Sequence, residues 1–246
     1  MSGSIIRIKR SAVPGKKPTT SDLATGELAL NTFDAELYVK RVRAGIGTDI
    51  VKIGVGATVT NILYVTKDGK DTNTGKKLGD AKGTIKGAVA AATEGTVIKV
   101  SAGTYLEDNP IVLPNQVSVV GDSLREVSVI PLNQADLFHV GNGCYVAEMS
   151  YFPLNGESNP HAVFAFDPVN LRYIDQSPYI QNCTNFIPES VGLQVDGTKA
   201  LGQLKSMVLD SYTQYNPNGV GASMTNEGYA QLVSLFTICD NIAYIS

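Results

Sequence analysis

The sequence has no tryptophan, two histidines and three cysteines among its 246 residues, and each scarcity closes off a class of chemistry. His139 and His161 are too few and too far apart along the chain to suggest a metal centre. Cys144, Cys183 and Cys239 are odd in number and widely spaced, which fits neither a disulfide framework nor a zinc site; they read as reduced core thiols. The motifs GxxxxGK[ST], HExxH, GxSxG and CxxC are all missing. No cofactor and no metal are therefore expected. No apolar run approaches the roughly 18 residues that cross a bilayer. The opening MSGSIIRIKRSAVPG lacks the apolar stretch and small-residue cleavage site of a secretory leader, so completion in a cytoplasm is the expectation.

Charge is present but uneven. Residues 1–52 carry nine Lys/Arg against five Asp/Glu, whereas the whole chain has a formal net charge of −3. The basic end has no interleaved aromatics and no Lys/Arg run longer than two, which argues against nucleic acid and for a cationic surface that meets a protein partner. The same segment reads as a small β module. Ile5, Ile6 and Ile8 suggest a short strand, and AVPGKKPTTSD is turn-rich, its two Pro and one Gly ruling out a continuous helix. GELALNTFDAELYVKRV reads as two strands about a turn at 31–35, with Leu28 and Leu30 on one face and Leu37 and Val39 on the other strand's face. IVKIGV supplies a last strand. A core this small is marginal and calls for partners, either copies of itself or a larger particle. Gly54, Gly56 and Ala57 mark a hinge, placing the boundary between a module at 1–56 and a second domain at 57–246.

In the second domain, Leu63 to Thr66 is a strand and the polar stretch after it a long loop. TIKGAVAAATEG is the one convincing helix: Ile85, Ala88, Val89 and Ala92 share a face, and Gly95 provides the stop. From residue 96 onward, strands of three to six residues alternate with turns, too far apart for simple hairpins. Grouped in twos and threes they give a loose period in the twenties, the mark of a parallel β-solenoid of about six coils, roughly 30 Å tall. The expected class is mainly β: a small N-terminal β module, then a parallel β-helix with one capping helix.

Two stretches resemble known families. YVTKDGKDTNTG…GTIKGAVAAATEGTVIKVSAGTY resembles the opening of pectin-lyase-like right-handed β-helices, in which an amphipathic helix plugs the first coil. PTTSDLATGELALNTFDAELYVKR, with IVKIGVG after it, resembles the N-terminal module of bacteriophage tail-fibre and related virion proteins. Together with AQLVSLFTICDNIAYIS, the combination is most similar to fibre-type structural proteins of tailed cyanophages. The resemblance implies a homotrimer, assembled in the host cytoplasm into the virion, whose N-terminal module attaches to tail, baseplate or neck proteins while distal parts support recognition of a host surface glycan. It implies no membrane insertion. The docking contacts are expected among Arg7, Lys9, Arg10, Lys40, Arg41 and Arg43. The apolar last coil, with Leu232, Val233, Leu235, Phe236 and Ile238, is expected to be covered by trimer partners or by further fibre beyond Ser246.

Two rival readings remain open: a tailspike-type polysaccharide depolymerase and a non-catalytic glycan-binding adhesin. A depolymerase needs carboxylates converging on a groove. Asp122, Glu126, Asp136, Glu148, Asp167, Asp175, Asp196, Asp210 and Asp240 are the candidates, but most sit after strands where Asp serves turns, and no pair recurs at a catalytic spacing. No catalytic residue is assigned, and the chain reads as a non-enzyme. Tyr145, Tyr151, Tyr173, Tyr179, Tyr212, Tyr215 and Tyr229 would form the adhesin's platform or, alternatively, pack between coils. Asn182 and Asn241 are candidates for stacked asparagine turns.

Overall fold

The computed structural model describes residues 8–43, 47–53, 61–202 and 204–246. Two compact units divide the chain, Met1–Thr58 and Val59–Ser246. The expected hinge glycines Gly54 and Gly56, together with Ala57, Ile5, Ile6 and Arg7, lie outside the described residues.

Among its described residues the first unit is a four-stranded sheet. Leu28–Asn31 and Glu36–Arg43 form the expected antiparallel hairpin, Gly47–Ile53 adds antiparallel to its second strand, and Lys9–Ser11 adds parallel to its first. Period-two alternation sorts the side chains. Ala29 and Tyr38 pair on one face and are buried with Leu23 from the preceding loop. On the other face Leu30 pairs with Leu37 and Leu28 with Val39, and these in turn meet Ile53 and Val51. This second face is only half covered: Leu28, Leu30, Leu37, Val39 and Val51 are intermediate and Ile53 is 40% exposed.

The second unit is a parallel β-helix. Its main sheet stacks Ile62–Val65, Val97–Val100, Ser118–Gly121, Tyr145–Tyr151, Tyr179–Asn185, Ser206–Tyr215 and Tyr229–Ile238, every neighbouring pair parallel. A second sheet stacks Ile111–Val112, Phe138–Val140, Ala162–Phe166, Val191–Asp196, Val220–Thr225 and Ile242–Ile245 in the same way. Six intervals of about 4.8 Å make the main sheet roughly 29 Å tall. Successive coils bring Val97 under Ser118, Tyr145, Tyr179, Val208 and Gln231, so their lengths are 21, 27, 34, 29 and 23 residues. Surface turns absorb the variation while the inward register holds. Leu63, Ile98, Val119, Val146, Ile180, Leu209 and Leu232 form one continuous aliphatic column. Phe138 and Phe164 stack at 5.6 Å, and Tyr151 meets Phe164 edge-on at 5.4 Å.

The helix Ile85–Ala91 turns Ile85, Ala88 and Val89 into this core, against the strands of the first coil. Thr84 caps it, its hydroxyl accepting the Gly87 N–H at 2.8 Å. The helix ends before Gly95: Ala92 is already extended and its N–H turns back to the Val89 carbonyl. Gly95 instead sits at positive φ in the turn leading to Val97–Val100.

A bend in the main sheet recurs at one register. Glu148, Asn182, Ser211 and Ser234 all adopt left-handed φ, and each lies directly over the one before. Beneath them stands Gly121, where a Cβ would lie 2.1 Å from the Glu148 carbonyl oxygen; the close approach requires glycine.

Candidate functional site

Within the N-terminal unit, a loop folds back over one sheet face and leaves a cavity of about 560 Å³. Lys9, Arg10, Lys16, Lys17, Asp22, Leu23, Ala29 and Tyr38 are among its lining residues. The loop is held from below. Asn31, itself buried, donates to the Val13 and Lys16 carbonyls at 3.0 Å each and to Asp34 Oδ2 at 2.6 Å, while the Gly15 N–H donates to the same carboxylate at 2.7 Å. Tyr38 donates to Glu36; that bond, with burial adding to it, pushes the phenol up to about 12.

Several of the expected docking residues are bonded within the unit. Lys9 donates to the Asp22 carbonyl and, at 3.2 Å, to Glu27. Lys40 donates to the Thr20 carbonyl at 2.7 Å, and Arg41 grips Asp49 through two bonds of 3.0 and 3.1 Å. Arg10 lines the cavity, Arg7 falls outside the described residues, and Arg43 ends the strand Glu36–Arg43. Lys16 and Lys17, read only as part of a turn-rich stretch, prove to be the cavity's unengaged ammonium groups. The adjacent lysines between Gly15 and Pro18 were the available sequence signal.

On the β-helix, most of the carboxylates tie the fold together. Asp122 accepts the Ala102 N–H at 3.1 Å and Glu148 takes both amide hydrogens of Asn182 one coil up. Burial pushes Asp136 up, but His139 at 3.1 Å and the Ala162 N–H at 2.8 Å outweigh it, so the carboxyl lies below its ordinary value. Asp167 is likewise low, because bonds from Asn170, Val169 and Arg172 overcome burial. Asp196 is lowered chiefly by the Thr198 hydroxyl, and Asp210 chiefly by the Tyr179 hydroxyl at 2.7 Å. Glu126 and Asp175 point into solvent. Asp240 has both oxygens buried without a partner, and burial raises it to about 6.

The tyrosines split. Tyr151 and Tyr212 are core residues. Tyr145 and Tyr179 face outward as a pair with rings 6.1 Å apart, next to Gln181 and Asp210. Tyr173, Tyr215 and Tyr229 are exposed. Stacked asparagines occur, but at other positions than expected. Asn109 donates to the carbonyls of Asn133, Ala135 and Asp136 and accepts the Asn133 N–H, and Asn159 reaches the Asn133 and Ala135 carbonyls from the next coil. Asn182 instead bonds Glu148.

One acid escaped the sequence reading altogether. Glu107, fully buried, accepts the Ile85 N–H at 2.7 Å and the Lys86 N–H at 3.0 Å, fastening the cap helix to the first coil. Burial raises it to about 7 against those two bonds.

Among the described residues no group of His, Cys, Asp and Glu is arranged to hold a metal ion, and no helix is long and apolar enough to cross a membrane. A family described as "Protein of unknown function (DUF1565)" matches residues 67–128, which run from the polar loop through the cap helix into the second coil. No curated protein matches the chain. Among solved structures, the chain is similar to the PL6-family alginate lyase AlyGC at 10% identity and a TM-score of 0.40, over 68% of this chain and 29% of that one. The chain thus spans less than a third of that protein's length.

Proposed function

We propose that this protein is a structural component of a phage tail fibre, a homotrimer whose N-terminal unit anchors it to tail, baseplate or neck proteins. The observation that carries the reading is the uncovered aliphatic face of the N-terminal sheet, Leu28, Leu30, Leu37, Val39, Val51 and Ile53. Completing the burial of such a face is worth roughly 25 cal/mol per Å² of apolar surface, several kilocalories for six side chains. That gain is available to a neighbouring copy. The carboxylates favour a rod over an enzyme, because most are committed to hydrogen bonds within or between coils. A glycan-binding adhesin is the second reading, favoured by the outward Tyr145–Tyr179 pair beside Asp210 and Gln181.

Since Lys9, Lys40 and Arg41 are bonded within the unit, the attachment role is tested by exchanging Arg10 for Glu. The expected outcome is a chain that still assembles with itself but no longer joins particles. Normal incorporation would contradict the assignment.

A further inference from the structure

The N-terminal cavity is lined by three exposed cations that make no hydrogen bond or ion pair among the described residues, Arg10, Lys16 and Lys17. The backbone of Lys16 is nonetheless fixed, since Asn31 holds its carbonyl and its N–H closes a turn on Val13 at 3.2 Å. Ordering this loop is therefore already done before anything binds. The remaining charges of the wall, Lys9 and Asp22, are bonded within the unit. Lys9 is held by the Asp22 carbonyl and Glu27, and Asp22, the acid on the wall, receives the Thr19 N–H and hydroxyl at 2.7 Å each. The floor is apolar, built from Leu23, Ala29 and Tyr38. One rim is the strand Lys9–Ser11, an edge of its sheet with a strand partner on one side only among the described residues.

We propose that this cavity seats an extended acidic peptide segment of the protein to which the unit attaches. Carboxylates of the segment meet Lys16 and Lys17, its intervening apolar side chains lie on the floor, and its backbone runs along the edge strand. Charge complementarity fixes the sign of the occupant, and a volume of 560 Å³ falls within the ~300–1,000 Å³ typical of ligand sites. Single-stranded nucleic acid is disfavoured because its bases stack on open aromatic faces, and the one aromatic ring lining the cavity, Tyr38, is 3% exposed. The inference rests on the attachment reading and names the chemistry of its partner.

The test titrates the intact chain into a fluorescein-labelled peptide of alternating Asp and Val, with a single-stranded oligonucleotide and an oligouronate of equal charge as competitors. Saturable peptide binding is expected, weakened about ten-fold or more by K16E/K17E and by added salt, and left within about two-fold by K76E/K77E. The control pair is exposed on the other unit and reverses the same charge. Three results would overturn the proposal: no saturable binding, equal weakening by both double variants, or tighter Lys16/Lys17-dependent binding of a competitor. On particles the two readings separate. Peptide binding without incorporation counts against attachment alone, and normal incorporation of K16E/K17E counts against the cavity alone.

Discussion

Replacing Glu107 with Gln is expected to flatten the pH dependence of stability between about pH 4.5 and pH 7. In the folded chain burial lifts this carboxyl from 4.5 to about 7, so folding favours its protonated form. A raised acid contributes stability that is fully present below the unfolded value and is lost as pH climbs through the folded one. The gap of about 2.5 units corresponds to roughly 3 kcal/mol, at about 1.4 kcal/mol per unit. The amide of E107Q carries no charge at any of these pH values, so that slope should vanish. Gln keeps one acceptor for the N–H groups of Ile85 and Lys86 but turns an NH₂ toward the other, at a cost of about 1–3 kcal/mol that does not vary with pH. Urea denaturation of both chains at fixed protein concentration, from pH 4.5 to pH 7.5, reads the slope directly. Parallel curves, offset but equally steep, would refute the assignment of a buried titrating acid beneath the cap helix.

Asn109→Ala should cost about 2–4 kcal/mol, because it strips the Asn133, Ala135 and Asp136 carbonyls and the Asn133 N–H of their shared partner; a melting temperature within a degree of wild type would contradict this. Asp240→Asn should stabilise the chain above about pH 6 by about 1 kcal/mol, after allowance for solvent reaching the last coil, since it removes a carboxylate without partners. The gain should shrink as pH falls toward 4, where the native acid is itself neutral, and a constant gain across that range would contradict the assignment.

Much of the architecture was legible because it follows local periodicity. The helix announced itself by Ile85, Ala88 and Val89 on one face, and the N-terminal hairpin by alternation around Asn31 and Asp34. Short Val/Ile-rich strands between turns gave the stacked coils. What escaped were bonds whose partners sit one coil away. Asn109, Asn133 and Asn159 each look like ordinary turn residues, and only their spacing of 24 and 26 residues, close to the coil length, hints that they stack. Glu107 went unnoticed because nothing local shows that the N-terminus of a helix lies 22 residues upstream in its path. Coil length was legible only as an average, since turns grow outward without disturbing the register of Ile98, Val119, Val146 and Ile180. In the N-terminal unit the excess of positive charge was visible but its placement was not. Arg41 and Lys40 are consumed by the fold, whereas Lys16 and Lys17 are left facing a cavity by a loop whose path depends on Asn31.

The proposed trimer would cover the half-exposed aliphatic face of the N-terminal sheet, and the mass of the chain in solution tests whether it forms. Sedimentation equilibrium across micromolar concentrations is predicted to give three times the 26.1 kDa of one chain, with Val39→Asp shifting the species toward smaller mass. A stable, monodisperse monomer of 26.1 kDa over the same range would contradict the account.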